Sequence, residues 1–398
     1  MGEPGGSHAE AVGGTQPGAG GLRERLLSWR DRLLGNPAFH RVAARFPLTR
    51  PIARRRARAL FDLSAGFVYS QILFACVRAR LFDLLADGPR STAALASATG
   101  LPEEGALRLL RGAAALRLVQ TAGEGRWRLG EQGAVMLGNP SIGAMVLHHE
   151  RLYADLADPL ALLGGRADTN LARLWPYAAG ERDAMAAAEV AAYSELMAGS
   201  QSLLAEDILD ACGAADARHW LDVGGGEGVF LAAALRRNGG LRGTVMDLPQ
   251  VATRARERLL QCGLAARADA VGGDMFNDPW PAGADTISFV RVLHDHDDAP
   301  ARALIARSRE ALRPGGRLVI AEPMAGTRGA EAMGDGYFGF YLWAMGSGRP
   351  RTADELRRWV LEAGFDRCKE LRTAQPMLAR VLVAERDSEH DRGDVKST

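Results

Sequence analysis

Leu221-Asp222-Val223-Gly224-Gly225-Gly226-Glu227-Gly228 is the stretch that decides the fold. Trp220 to Val223 reads as a short buried strand, and the glycines that follow end it and open a helix. Glycine there lets a ligand approach the backbone, and the N-terminus of the next helix offers free amide groups. Outward from this point the chain alternates strand and helix. Strands are expected at Trp220–Val223, Gly243–Met246, Ala268–Gly273, Thr286–Val290 and Arg317–Ala321, with helices between them. A closing antiparallel pair is expected near Asp366–Arg372 and Ala379–Ala384. This rhythm predicts an α/β domain, a parallel sheet with helices on both faces.

The glycine loop has two acidic partners. Asp247 ends the next strand, and a carboxylate there can accept both hydroxyls of a ribose. Asp274-Met275-Phe276 follows the third strand and can hold an adenine, its amino group on the carboxylate and its ring on the thioether. An Asp so placed also suits a helix cap. Gly224, Gly226 and Gly228 make Gly-x-Gly-x-Gly, which departs from the dinucleotide pattern Gly-x-Gly-x-x-Gly. The sequence offers no second phosphate-binding element. An adenosyl ligand without pyrophosphate fits it better than a nicotinamide dinucleotide.

The fourth strand runs into Arg291-Val292-Leu293-His294-Asp295-His296-Asp297-Asp298. His294 is expected at the carboxyl edge of the sheet, where open α/β folds bind ligands. Imidazole is a natural proton acceptor near neutral pH. Glu322 closes the fifth strand and can orient the ring and stabilise its protonated form. The His-Asp run is also rich in metal ligands, but on one loop they would diverge, and no distant His or Cys completes a set. No metal is expected. The pair His148-His149 sits in no motif and reads as structural.

Composition is that of a globular protein: 398 residues, 47% hydrophobic and 24% charged, enough chain for about two domains. Net charge is +1, which gives no global reason to expect nucleic acid or an acidic partner. Cys76, Cys212, Cys262 and Cys368 are far apart and read as reduced thiols of a cytoplasmic protein. Ala65 to Val77, the most apolar stretch, reads as too short to span a bilayer, and residues 1–20 lack the apolar core of a signal peptide.

The charge is unevenly spread. Residues 1–20, rich in Gly, Ala, Ser and Pro, read as a disordered tail. From Gly21 to Leu60 eleven arginines face only Glu24 and Asp31, so that residues 1–60 carry +7 and the remainder −6. Leu26, Leu27, Leu33, Leu34, Phe39 and Phe46 are interspersed. A basic amphipathic arm of this kind suits the inner, anionic face of a bacterial membrane as a peripheral contact, or packing on a second protomer. Residues 61–205 read as mainly helical with one small β element. Thr92–Thr99 is a helix; Leu101-Pro102-Glu103-Glu104 opens a second, with Pro at the first helical position and Leu107, Leu110 and Leu116 on its apolar face. A hairpin follows, Leu118–Gln120 and Trp127–Leu129. Helix, turn, helix, hairpin is a winged helix. A further helix is expected over Arg182–Leu209. The acids Glu103-Glu104 at the start of the second helix would face phosphates, which argues against DNA binding. Residues 206–386 form the α/β domain and 387–398 a tail.

The ordered set Leu221–Gly228, Asp247-Leu248-Pro249-Gln250-Val251, Gly273-Asp274-Met275-Phe276, Leu293-His294-Asp295 and Gly348-Arg349-Pro350-Arg351-Thr352 resembles the S-adenosylmethionine-dependent class I O-methyltransferases of the caffeate and acetylserotonin type. The resemblance runs from residue 61 to about 385. It implies a C-terminal Rossmann-like, seven-stranded methyltransferase domain, an N-terminal winged-helix dimerisation domain and a homodimer. It implies S-adenosyl-L-methionine as cofactor, held by Gly224, Gly226, Asp247, Asp274, Met275 and Arg291, with His294 as base and Glu322 beside it. Three positions depart from the family. Val290 and Arg291 stand where a lysine is common, His296 replaces a tryptophan, and Pro350 replaces a glutamate. Phe46–Arg56, Phe61–Val77 and Met333–Tyr341 are similar to the branch that methylates the tertiary hydroxyl of an acyclic carotenoid. The aromatic and thioether side chains of Glu331–Met345 suit such an apolar acceptor, or a helix that is merely core. A chlorin or an aromatic polyketide would leave every cofactor residue unchanged.

Overall fold

The computed structural model describes residues 21–165, 168–174, 199, 201–202 and 204–387. The expected tails, and most of the expected helix Arg182–Leu209, lie outside the described residues. The chain divides into two compact units between Leu73 and Phe74, inside the helix Arg50–Arg78.

In the first unit, helices cover Leu22–Leu34, Pro37–Arg45 and the start of Arg50–Arg78. Asn36 caps the second, its side chain accepting from the amide of Ala38 at 2.8 Å, with Pro37 at the first helical position. The helix Arg50–Arg78 corrects one expectation. It carries Ala65–Val77 within 29 continuous helical residues, a span long and apolar enough to cross a membrane by length and composition, with 11% of its apolar window buried. The apolar run looked short because the arginines before it do not stop the helix.

The second unit opens on the small β element expected from the sequence, with its helices. Its sheet has the order β1-β3-β2, formed by β1 (Arg90–Ser91), β2 (Val119–Thr121) and β3 (Arg126–Leu129). Thr92–Thr99 is a helix capped by Ser91, whose hydroxyl accepts the amide of Ala94 at 3.2 Å. The next helix is Glu103–Ala115. Pro102 is its cap rather than its first residue, and its buried face is Ala106, Leu110 and Ala113, which shares only Leu110 with the expected stripe. Small alanines let this face lie close against its neighbours, so Leu107 stays half-buried.

The large sheet has the order β6-β5-β4-β7-β8-β10-β9. Its strands are β4 (His219–Val223), β5 (Arg242–Asp247), β6 (Ala268–Gly272), β7 (Thr286–Val290), β8 (Arg317–Glu322), β9 (Arg367–Leu371) and β10 (Arg380–Glu385). The first five are parallel, and β10 runs antiparallel to both of its neighbours. Every residue of β7 is buried, as expected of a strand covered on both faces. Alternate residues feed opposite cores: Trp220 and Val245 pack with Phe230 on one face, Leu221, Ile287 and Phe289 on the other. The chain leaves β4 toward β5 and β6, then returns to place β7 on the other side. That reversal is a topological switch point, and it opens at the carboxyl ends of the strands.

The expected helix Glu331–Met345 is two helices in one. Ala332–Phe338 is a π-helix, and Gly339–Met345 is α-helical. Gly334, Gly336 and Gly339 weaken the α-helical preference there and let the turn widen. Gly334 also passes close to the backbone of Met324, where an added Cβ would lie 2.9 Å from the carbonyl oxygen.

Candidate active site

Each expected site residue lies at a carboxyl end of the large sheet. The glycine loop leaves β4 with Gly224 at φ +67°, where a Cβ would sit 2.8 Å from Val292 Cγ2. Only glycine lets the loop pass beneath the segment that carries His294. Asp247, at the end of β5 and 4% exposed, accepts the amide of Gly226 at 2.8 Å and that of Leu248 at 2.7 Å. One carboxylate thus ties the loop after β4 to the turn after β5.

Asp274 follows β6. Its carboxylate accepts the amide of Phe276 at 2.8 Å and the side-chain amide of Asn277 at 2.6 Å, so it organises its own turn. Met275 beside it is buried. The Phe276 ring meets His296 edge to face, centroids 5.0 Å apart. His296 therefore occupies the flank where the family's tryptophan would stand, and burial lowers its pKa.

His294 is 5% exposed and lies in a short 3-10 turn, Leu293–Asp295, after β7. Its Nδ1 meets Glu322, and its Nε2 lies 3.1 Å from Asp295 Oδ1. Glu322, at the end of β8, also accepts the amides of Val292 at 3.1 Å, Leu293 at 2.8 Å and His294 at 3.3 Å. Burial alone would lower the His294 pKa; the charges of Asp295 and Glu322 outweigh it and push it up to about 9. This corrects the expectation of an ordinary imidazole near neutrality. The two carboxylates thus favour the protonated ring in this arrangement.

The Gly348–Thr352 segment clamps the same turn through its backbone. Arg349 donates its amide to the carbonyl of His294 at 2.9 Å, and the Ser347 hydroxyl donates to that of Asp295 at 2.7 Å. Arg351, 2% exposed, donates to the carbonyls of Leu293 at 2.7 Å and His296 at 2.6 Å. Gly348, at φ +80°, packs so tightly on the carbonyl of His294 that no Cβ fits. The motif is recognisable in the sequence, with Pro350 in the place of a glutamate, but the hold of its arginines on the turn has no local sequence signal. Asp297 and Asp298 are engaged here as well, on the amide of Gly348 and on Arg349 and Arg351. The loop's carboxylates are thus spoken for by protein donors.

Arg291 has φ +57°, and its charge acts on Tyr337. That places it toward the 332–345 helix. This helix divides in role: Tyr341, Leu342, Ala344 and Met345 are core with Leu152 and Leu162, whereas Phe338 meets the His294 ring edge to face at 5.9 Å. His148 and His149 share hydrogen bonds with Tyr341 and Tyr337, at 2.9 and 2.7 Å. They link Pro140–Asp155 to that helix.

Asp222 has no role legible in the sequence. It is fully buried; the Ser288 hydroxyl donates to its Oδ1 at 2.5 Å, and the Trp220 indole donates to Ser288 at 2.9 Å. Its Oδ2 lies under Gly225 with no hydrogen-bond donor. Burial pushes its pKa up to about 7. The acceptors Asp222, Asp247 and Asp274, the thioether of Met275 and the glycine loop together fit an adenosyl ligand bearing positive charge. The unsatisfied Oδ2 is the feature that most calls for such a partner.

A model of the O-methyltransferase domain matches residues 153–366, and one of the O-methyltransferase dimerisation domain matches residues 61–139. The chain belongs to the O-methyltransferase family. It is therefore an S-adenosyl-L-methionine-dependent O-methyltransferase whose dimerisation domain builds a homodimer. It is 43% identical to the demethylspheroidene O-methyltransferase of Cereibacter sphaeroides, over 94% of this chain and 98% of that one. It is 38% identical to the enzyme of the same name from Rhodobacter capsulatus, over 96% of each chain. The crystal structure of human N-acetylserotonin methyltransferase in complex with SAM shares the fold of this O-methyltransferase, with a TM-score of 0.70 at 23% identity. That match takes in 98% of the human chain but 84% of this one.

Proposed function

We propose that this O-methyltransferase methylates the tertiary hydroxyl of a hydroxylated acyclic carotenoid, of the demethylspheroidene or hydroxyneurosporene type, in the spheroidene pathway. The 43% identity to a demethylspheroidene O-methyltransferase over nearly the whole chain carries this reading. The half-buried Phe338 against His294, with Tyr337 edge to face on Phe338, suits an apolar acceptor. The enzyme would work in the cytoplasm, with residues 206–386 as catalytic domain and 61–205 as dimerisation domain.

The cofactor, when bound, supplies an electrophilic methyl group on a sulfonium. Gly224, Gly226, Asp247, Asp274, Met275 and Arg291 would hold it, at the carboxyl ends of β4 to β7. Methyl transfer would form a C–O bond to the acceptor as the C–S bond of the sulfonium breaks, the neutral thioether being the leaving group. Once Nε2 has lost its proton to solvent and left Asp295, the neutral His294 takes the hydroxyl proton there. Glu322 keeps Nδ1 protonated, and the carboxylates stabilise the imidazolium that results. A tertiary alcohol is far less acidic than imidazolium, so proton transfer accompanies attack. Orientation supplies most of the acceleration, about 7–11 kcal/mol at best.

Incubation with labelled cofactor and a panel of hydroxylated carotenoid, bacteriochlorophyllide and phenolic acceptors tests the assignment. Label in the carotenoid alone is expected. Label in the chlorin or the phenol instead would move the enzyme to another branch of the family.

A further inference from the structure

The helix Leu22–Leu34 has no buried residue. At about 100° per residue, Leu22, Leu26, Trp29 and Leu33 fall within roughly 60° of arc. Leu22 is 77% exposed, Leu26 57% and Trp29 63%. By the same count Arg25 and Arg32 flank this stripe on one side and Arg23 and Arg30 on the other, while Glu24 and Asp31 lie on the opposite face. The next helix, Pro37–Arg45, leaves Val42 65% exposed, and Phe46 at its C-cap is 51% exposed; by the same count Arg41 and Arg45 lie on one side of Val42, and the helix has no acid.

We propose that residues 22–46 dock on an anionic lipid surface, with Leu22, Leu26, Trp29 and Leu33 at the acyl boundary and the flanking arginines among the headgroups. The placement of charge decides for lipid over a second protomer. A stripe meant for protein does not need cations along both edges and acids confined to the far side; a helix lying in a headgroup layer does, because arginine stems run along the apolar surface while the guanidinium reaches phosphate. An indole on the stripe suits the same boundary. The segment also stands outside the dimerisation module, which begins at residue 61. The match to the demethylspheroidene enzyme takes in 94% of this chain, too much to leave out the whole of residues 21–60. The human enzyme, itself matched almost entire, takes in 84%. The arm is thus shared, at least in part, with the carotenoid relatives, whose acceptor dissolves in lipid. In that last respect the inference rests on the proposed acceptor.

Sedimentation of the full-length protein with vesicles tests it. Binding is expected to phosphatidylglycerol–phosphatidylcholine vesicles at low salt, and loss of binding in pure phosphatidylcholine or molar salt. Each arginine among Arg23, Arg25, Arg30 and Arg32 changed to Gln is expected to weaken partition about fivefold. L26Q/W29Q is expected to weaken it about tenfold or more while the dimer mass by light scattering and the cofactor affinity stay unchanged. Protein that stays in solution, or variants that sediment as well as the parent, would overturn the proposal. So would variants that fall apart into monomers, since the stripe would then belong to the second copy. Turnover of carotenoid in detergent micelles separates the two readings. An enzyme that methylates carotenoid in micelles but ignores vesicles loses only the lipid arm; one that binds vesicles and methylates no carotenoid loses only the acceptor.

Discussion

Glu322 grips His294 twice, at the ring Nδ1 and at the backbone amide 3.3 Å from Oε2. A single carboxylate from β8 therefore fixes both the tautomer of the imidazole and the course of the turn that carries it.

Replacing Glu322 tests this double role. In Glu322→Gln the amide NH2 must face either the ring or the backbone amides. A loss of about 1–3 kcal/mol of stability is expected, with kcat falling more than the cofactor affinity. Thermal unfolding and single-turnover rates check it; unchanged kcat would remove Glu322 from the proposed mechanism.

His294→Ala should abolish turnover and leave cofactor affinity nearly intact, measured by calorimetry. Retained turnover would take His294 out of the role of base.

The His294 pKa of about 9 sets the pH profile. The imidazole of the free enzyme must lose a proton before it can accept one, so kcat/KM should climb through pH 8 and level off only above about 9. Asp295→Asn removes one of the charges that hold the proton and should move the inflection downward. The sign for stability is opposite. The ion pairs of His294 contribute fully below the ordinary pKa of 6.5 and are lost as pH rises through about 9. A profile flat above pH 7 would contradict the flanked imidazolium.

Asp222 gives a second pH signature. The folded carboxyl holds its proton to about pH 7, the unfolded one only to 3.8. Between those values the folded state binds more protons, so this group's contribution to stability falls as pH rises, by about 1.4 kcal/mol per unit. Asp222→Asn should abolish that slope and unfold later than the parent at pH 8. Calorimetric melts at pH 5 and 8 check it. Weaker binding of the cofactor is expected alongside, since the unsatisfied oxygen is lost.

Gly348→Ala places a Cβ against the carbonyl of His294 at a positive φ. A loss on the order of 3 kcal/mol is expected, and activity with it. Proteolysis of the 293–298 turn before global unfolding would show that the damage is local.

Much of this molecule was written locally. The strand Thr286–Val290 and the helix Thr92–Thr99 fall where hydrophobic runs, caps and glycines put them, because those signals act over a few residues. The ordered ends of the strands, with Gly224, Asp247, Asp274, His294 and Glu322, follow from the same alternation, since a parallel sheet sends every strand's carboxyl end to one side. The protonation of His294, the stranded oxygen of Asp222 and the grip of Arg349 and Arg351 on the His294 turn did not follow. A pKa depends on burial and on charges that arrive through space, and Arg351 reaches the carbonyl of Leu293 across 58 residues of chain. The π-turn at Ala332–Phe338 is of the same kind, for glycines permit a widened turn but only packing against Met324 and His294 chooses it. Sequence alone determined which residues meet at the rim of the sheet; only the tertiary structure decided how their charges settle there, because desolvation and Coulomb energy belong to positions in space rather than to positions along the chain.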